Sequence, residues 1–249
     1  MKAIQLFLII FLSQILISCS GSKDLSSLNP EERFLLAKQK FDKKDYLEAI
    51  SEFESIMIQY SGTGIVDDAQ FYLALSYFKR GEYIKSAYEF SKLIRDFPTS
   101  EYVKDAQFML AESYYELSPH YTLDQRFTEK AIEEYQAFID FFPDEPRKSE
   151  AEKKIKELND KLAKKIFETA EQYRRMKYIK SAIIYYDLLL EKYPDSKYSS
   201  QALFTKIKLL VERSRNKEAL DEAKKYLQRY PNGENIKEVQ KIIEELQKS

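Results

Sequence analysis

The chain holds one histidine and one cysteine in 249 residues, and those two counts dispose of much chemistry at once. A His-ligated metal centre, a Cys₄ zinc site and an intramolecular disulfide are arithmetically impossible. As a general base, His120 would need an orienting partner and a nucleophile within hydrogen-bond reach. Its neighbourhood after Pro119 offers Asp124 and Ser118 at best, so it reads as a surface-loop histidine. The carboxylate pairs Asp67-Asp68, Glu133-Glu134 and Glu244-Glu245 would suit glycoside hydrolysis only if they flanked one bond across a cleft. Adjacent residues on a helix point in different directions, so these pairs read as solvated faces. Neither GxGxxG nor GxxxxGK[ST] occurs, and there are only 5 glycines to build phosphate loops or tight βα turns. With 40 basic against 41 acidic side chains, nothing favours nucleic acid electrostatically. The expectation is a non-enzymatic binding protein without cofactor or metal. Its rival from another class, a lipid-anchored peptidoglycan enzyme, needs a catalytic constellation that the sequence does not offer.

Cys19 has a different chemistry within reach, acylation. Behind Lys2, residues Ala3 to Ile17 form an apolar run broken only by Gln5, Ser13 and Gln14. A spanning helix needs about 20 apolar residues, so this run fits a signal peptide better. Leu16-Ile17-Ser18-Cys19 resembles the bacterial lipobox, in which the cysteine receives diacylglycerol and becomes the mature N-terminus. A polar tether, Ser20-Gly21-Ser22-Lys23-Asp24, follows. Acyl chains contribute about 0.8 kcal/mol per buried CH₂, which holds a soluble domain on a membrane without a spanning helix. By resemblance to bacterial sorting rules, Ser20 after the cysteine favours the outer membrane. The folded part is then expected to face the periplasm, which is oxidising, with no thiol left to oxidise.

Everything after the tether repeats. Asp68-Ala69-Gln70-Phe71 with Ala74 and Tyr77 returns 37 residues later as Asp105-Ala106-Gln107-Phe108 with Ala111 and Tyr114. Tyr83-Ile84-Lys85-Ser86-Ala87 returns as Tyr178-Ile179-Lys180-Ser181-Ala182. An aromatic and a proline close four units at Phe97-Pro98, Phe142-Pro143, Tyr193-Pro194 and Tyr230-Pro231, and Tyr60-Ser61-Gly62 is a degenerate first version. Proline fits just past a helix end, where a missing N–H does no harm. The pattern resembles tetratricopeptide repeats, which pair two antiparallel helices in about 34 residues. The expected fold is all-α, an α-solenoid of about five helix pairs. Residues 1–18 are the signal peptide and 19–30 the lipidated cysteine and tether. Residues 31–146 hold repeats 1–3, and 147–249 hold a long connecting helix and repeats 4–5. Two departures stand out: about eight extra residues around Ser118 to Gln125, and Lys206-Ile207 where Leu and a small residue are usual.

On this frame two clusters could recognise a partner. Phe34 with Phe41, Phe71 with Phe78 and Phe108 with Tyr115 are pairs seven residues apart, hence two turns apart on one helix face. They are expected to line the concave groove of repeats 1–3, with Asp68, Asp105 and Glu112 beside them to meet a peptide's amides. The fourth unit carries the basic turn Arg174-Arg175-Met176-Lys177. Its guanidinium forks suit carboxylates on a partner protein.

Two further stretches carry a family resemblance. Leu158 to Tyr173, with Ala163, Phe167, Glu168, Ala170 and Glu171, resembles the segment linking the third and fourth repeats of the BamD family. These are lipoproteins of the outer-membrane β-barrel assembly machinery. The insertion from Ser118 to Gln125, with Thr128 to Ala131, is similar to that family's third repeat. The resemblance covers essentially all of the chain behind Cys19. It implies a scaffold that binds BamA, the barrel-bearing subunit, through that subunit's periplasmic domains. It also implies help in recognising the C-terminal signal of unfolded outer-membrane proteins, alongside other lipoproteins of the complex. Arg174, Arg175 and Lys177 are the partner-binding candidates. The alternative keeps the scaffold but changes the machine, for example a pilus-secretin pilotin or a division coordinator.

Overall fold

The computed structural model describes residues 28–248, and among them every regular element is a helix. In chain order these are α1 Pro30–Asp42, α2 Tyr46–Gln59, α3 Val66–Lys79, α4 Tyr83–Asp96, α5 Val103–Leu117 and α6 Arg126–Phe141. They continue with α7 Lys148–Arg175, α8 Ile179–Lys192, α9 Ser199–Glu212, α10 Asn216–Arg229 and α11 Ile236–Lys248. Sequence-adjacent helices pack in antiparallel pairs, giving five repeats and a terminal helix. The first begins with a capping box. Asn29 Oδ1 accepts from the Glu32 amide at 2.8 Å and the Glu32 carboxylate accepts from the Asn29 amide at 3.3 Å, with Pro30 opening the helix.

Two kinds of turn alternate. Within repeats 1, 2, 4 and 5 the first helix ends on a left-handed residue: Lys44 (φ 67°), Gly81 (φ 75°), Lys177 (φ 63°) and Ser214 (φ 55°). The following amide bonds back six residues, as from Asp45 to the Lys40 carbonyl and from Tyr178 to that of Tyr173, both at or near 3.0 Å. This is a Schellman turn, which glycine suits best and which only Gly81 fills without Cβ strain. Between repeats, the aromatic that closes the second helix takes its amide bond from the carbonyl four residues earlier, Phe97 to Leu93 and Tyr193 to Leu189, both 2.8 Å. Tyr60 makes the same bond to Ile56 at 2.9 Å. The first unit therefore turns as the others do without a proline.

The turns also correct one reading of the repeat. Tyr83 lies two residues past its left-handed turn residue and Tyr178 only one past its own. The identical pentapeptides at 83–87 and 178–182 thus sit one residue out of register, and Ala182 corresponds to Ser86 rather than Ala87. Tyr178 becomes an exposed N-cap residue, whereas Tyr83 opens the body of α4.

In each repeat a ring on the first helix is followed three residues later by a small residue where the helices cross: Phe34 and Ala37, Phe71 and Ala74, Phe108 and Ala111, Phe167 and Ala170. Facing them on the second helices are fully buried rings, Phe53, Phe90, Tyr135 and Tyr186. Small against large is what lets two helices approach. The fifth repeat inverts the sizes. Ile207 replaces the small residue, and Ala223 stands where the facing ring would be, both fully buried in one cluster. The large side chain moves on to Tyr226. Lys206 is also accommodated, its ammonium 2.5 Å from Asp187 and 3.3 Å from Glu222.

Helix α7 has 28 residues, about 42 Å at 1.5 Å per residue. Its first half closes the third-repeat core with Ala151, Ile155 and Leu158. Its second half gives Ala163 and Ala170 to the fourth-repeat core. The insertion at 118–125 folds against its middle: Lys161 donates to Ser118 Oγ at 2.8 Å and Lys165 to the Leu123 carbonyl at 2.6 Å. Buried Gln125 ties the loop together by donating to the carbonyls of His120 and Leu123, each at 3.0 Å. At the far end α11 lays Val239, Ile242 and Ile243 on the last core and turns charged residues outward, as a solenoid cap must. None of the described helices is long and apolar enough to cross a membrane.

The size inversion generates a prediction. Ile207→Ala should lower stability by about 2–5 kcal/mol through the cavity it leaves, and Ala223→Tyr alone should destabilise by overpacking. The double variant, restoring the arrangement of the other repeats, should recover part of the loss in thermal or urea unfolding.

Candidate partner-binding surfaces

The structure separates the two members of each aromatic pair. Phe34, Phe71 and Phe108 are buried, whereas Phe41, Phe78 and Tyr115 are half-buried. The reason is the same in each case: a ring on the next repeat covers the first member, or a cation does. Tyr72 lies edge-on to Phe34 at 5.6 Å. Tyr102, the N-cap of α5, stacks on Phe71 at 4.5 Å. Arg147, the N-cap of α7, lies 4.6 Å over Phe108, and in the fourth repeat Tyr198 lies 5.5 Å from Phe167. Phe34, Phe71 and Phe108 are therefore joints between repeats rather than rings presented to a groove.

The second members differ among themselves. Phe41 rests edge-on against Tyr46 and Tyr72, both at 5.4 Å, and Phe78 against Tyr83 at 5.2 Å. Tyr115 is covered: the Lys154 ammonium sits 3.6 Å from its ring centre and its hydroxyl donates to Glu157 at 2.8 Å. Burial and that carboxylate push the Tyr115 phenol up to about 12. Helix α7 thus closes the third repeat's share of the face, leaving Phe41 and Phe78 as its partly open rings. The first helices form the inner layer, since α1 approaches α3 and α3 approaches α5 directly.

The three carboxylates expected to meet a peptide are already engaged. Asp68 accepts from the Tyr102 hydroxyl at 2.9 Å, and burial raises its pKa despite that bond. Asp105 accepts from Arg147 at 2.5 Å. Glu112 accepts from the Tyr135 hydroxyl and lies 3.5 Å from Lys154. They serve the joints and the core, which corrects their assignment to the ligand.

The basic turn is likewise divided. Arg174 is held by Glu171 through Nε at 3.0 Å and a terminal nitrogen at 2.7 Å. Burial disfavours the charged form of Glu171, but Arg174 and the Tyr186 hydroxyl more than offset it and hold the carboxyl below its ordinary value. Arg175 and Lys177 are exposed, with no ion pair among the described residues, and Met176 and Tyr178 beside them are more than half exposed. Cys19 lies outside the described residues. His120 is exposed, its Nδ1 2.9 Å from Thr122 Oγ1.

Sequence reasoning missed a set of buried polar pairs. Gln70 reaches the Glu89 carbonyl at 3.2 Å and carboxylate at 2.6 Å, and Gln107 does the same to Glu134 at 3.1 and 2.8 Å. Tyr135 pairs with Glu112 and Tyr186 with Glu171, and burial, then the carboxylate, raises both phenols. A signal for these pairs lay in the repeats themselves. Four residues after the first-helix ring stand Lys38, Leu75, Glu112 and Glu171, and the facing ring is Phe53, Phe90, Tyr135 and Tyr186. Tyr appears where an acidic acceptor does.

A search of curated proteins finds no match. Among solved structures the chain is similar to the TPR2AB-domain:pHSP90 complex of yeast Sti1, at 14% identity and TM-score 0.44, covering 82% of this chain and 78% of that one. It is similar to a thermophilic TPR protein of Thermus thermophilus at 15% identity and TM-score 0.38, covering 86% and 99%. A tetratricopeptide repeat protein from Parabacteroides merdae matches at 14% identity and TM-score 0.41, covering 86% and 98%. The family described as YfiO, outer membrane lipoprotein, matches residues 27–214, from the end of the tether into the fifth repeat. The chain belongs to this family, the BamD-type outer membrane lipoproteins.

Proposed function

We propose that this outer-membrane lipoprotein scaffold serves the β-barrel assembly machinery, held by acylated Cys19 on the periplasmic face of the outer membrane. The carrying observation is the family match across residues 27–214, on a solenoid whose polar residues are largely spent on its own joints. Its C-terminal half docks a BamA-like barrel subunit through that subunit's periplasmic domains. Arg175 and Lys177, with exposed Met176 and Tyr178 between and beside them, combine free cations with apolar anchors, as interface centres and rims do. Arg174 holds the turn through Glu171.

The inner face of repeats 1–3 takes the C-terminal segment of unfolded outer-membrane proteins. Same-face side chains of an extended strand lie about 6.8 Å apart, and rings recurring from one first helix to the next offer alternate seats. Phe41 and Phe78 are those seats, framed by Phe34, Phe71, Phe108 and Tyr115.

Three outcomes are expected. Cys19→Ala should leave the precursor unprocessed and abolish acyl labelling while the repeats fold; a normal mature mass with membrane association intact would contradict the anchor. Phe78→Ala should weaken binding of an aromatic-ended barrel peptide about tenfold or more with unchanged circular dichroism, and unchanged affinity would remove the groove. Phe71→Ala should instead lower stability by about 3–5 kcal/mol, because its ring is a joint. Arg175→Glu with Lys177→Glu should weaken co-purification of the barrel subunit about three- to tenfold at low salt. Lys177 already takes a left-handed φ, so Glu there changes charge without adding backbone strain. Equal recovery at low salt would move that interface elsewhere.

A further inference from the structure

The exposed large apolar side chains are unevenly placed. Leu47 (65% exposed), Ile84 (64%) and Tyr88 (62%) stand on α2 and α4, the second helices of the first two repeats. Leu47 and Ile84 are equivalent, each three residues past its left-handed turn residue, Lys44 or Gly81. Tyr88 lies one helical turn beyond Ile84 on the same face. The two turns are neighbours in space, because Lys44, Tyr46, Leu47 and Arg80 line one shallow cleft of about 310 Å³.

The charge around this corner is also unbalanced. Among the described residues Lys43, Lys44 and Lys79 form no ion pair, whereas most nearby acids do. Asp42 is 3.8 Å from Lys38, Glu48 is 3.3 Å from Lys40, and Glu82 is 2.6 Å from both Arg80 and Lys85. Asp45 alone lacks an ion pair there, so the free charge is positive. Cations interleaved with exposed aliphatic side chains and a tyrosine are the composition of a surface that rests among lipid headgroups.

Chain length points to the same occupant. Cys19 precedes Leu28, the first described residue, by nine positions, so the two lie no more than about 30 Å apart even when fully extended. We propose that the corner formed by Lys43, Lys44, Leu47, Lys79, Ile84 and Tyr88 docks on an anionic lipid leaflet as a second attachment beside the acyl anchor. The inference rests on the Cys19 reading, because the anchor turns a weak patch into an intramolecular contact at high effective concentration. A basic patch next to an acyl chain is the usual two-signal route to stable attachment. It also fixes orientation, which a lipid tether alone leaves free. The edge carrying the turns within repeats 1 and 2 lies on the leaflet, and the opposite edge, with Phe141 at its third closing turn, points away.

The sole cysteine and the absence of tryptophan permit a direct test. The chain from Cys19 onward is coupled through the Cys19 thiol to a maleimide lipid in phosphatidylethanolamine–phosphatidylglycerol vesicles containing lipids brominated in their acyl chains. Ile84→Trp and Phe141→Trp, both at exposed sites, each supply a single fluorophore. Bromine should quench the Ile84→Trp emission several-fold more than the Phe141→Trp emission. Adding Lys43→Glu, Lys44→Glu and Lys79→Glu, or replacing the lipids by phosphatidylcholine, should cut that quenching several-fold, since each lysine near an anionic surface strengthens binding roughly fivefold. Equal quenching at the two sites, or quenching indifferent to both charge changes, overturns the docking. The thioether replaces biological acylation, so failure of the Cys19 labelling experiment and failure of this one are separate results.

Discussion

Phe71 is held on one side by its own repeat and on the other by Tyr102, the N-cap of the next repeat's first helix. The same constraint recurs where Arg147 covers Phe108 and Tyr198 covers Phe167. No repeat finishes burying its own first-helix ring; the following one does it. Stability in such a chain is a sum of repeats and nearest-neighbour joints, and the joints carry the large rings and several ion pairs. A last repeat therefore needs a substitute neighbour, which α11 provides with Val239, Ile242 and Ile243.

Helix α7 applies the same constraint over a longer distance. Its first half is the neighbour that repeat 3 requires, and its second half is the first helix of repeat 4. One unbroken helix thereby fixes the relation of the two halves of the solenoid. The insertion at 118–125 braces it at the middle through Lys161 and Lys165. Burial pulls the Lys161 ammonium below its ordinary pKa, a mark of a lysine used for structure rather than for solvent. Repeat 3 gives up the open space near Tyr115 in exchange for this brace, since Lys154 and Glu157 of α7 occupy the ring and its hydroxyl.

Most of the chemistry-bearing side chains are consumed by packing of this kind. Asp68, Asp105, Glu112, Glu171 and Arg174 all have partners inside the solenoid. What remains for other molecules is a smaller set: the partly open Phe41 and Phe78, the free cations of the turns, and apolar side chains such as Leu47, Ile84, Met176 and Tyr178. Those residues lie on two inner helices and at the turns within repeats. A scaffold that must bind several partners without chemistry is served by keeping these surfaces apart, because each can then be occupied without unlocking a joint.

The sequence by itself determined the fold class, the number of helix pairs and the places where the chain turns. Closing aromatics, crossing alanines and the spacing of 37 residues are local requirements that each unit must meet with its own residues. It also contained, unread, the pairing of Tyr135 and Tyr186 with Glu112 and Glu171, because a buried phenol needs an acceptor and each Glu stands four residues after a repeat ring. Three things were decided only by tertiary structure. Phe34, Phe71 and Phe108 look identical to groove residues in sequence, since helix periodicity places a side chain on a face without saying what lies over that face. The identical pentapeptides at 83–87 and 178–182 differ in register because the left-handed residue falls at Gly81 in one repeat and at Lys177 in the other. Ile207 looked like a defect until Ala223 was found opposite it, because the volume that must be filled belongs to two helices together and to neither alone.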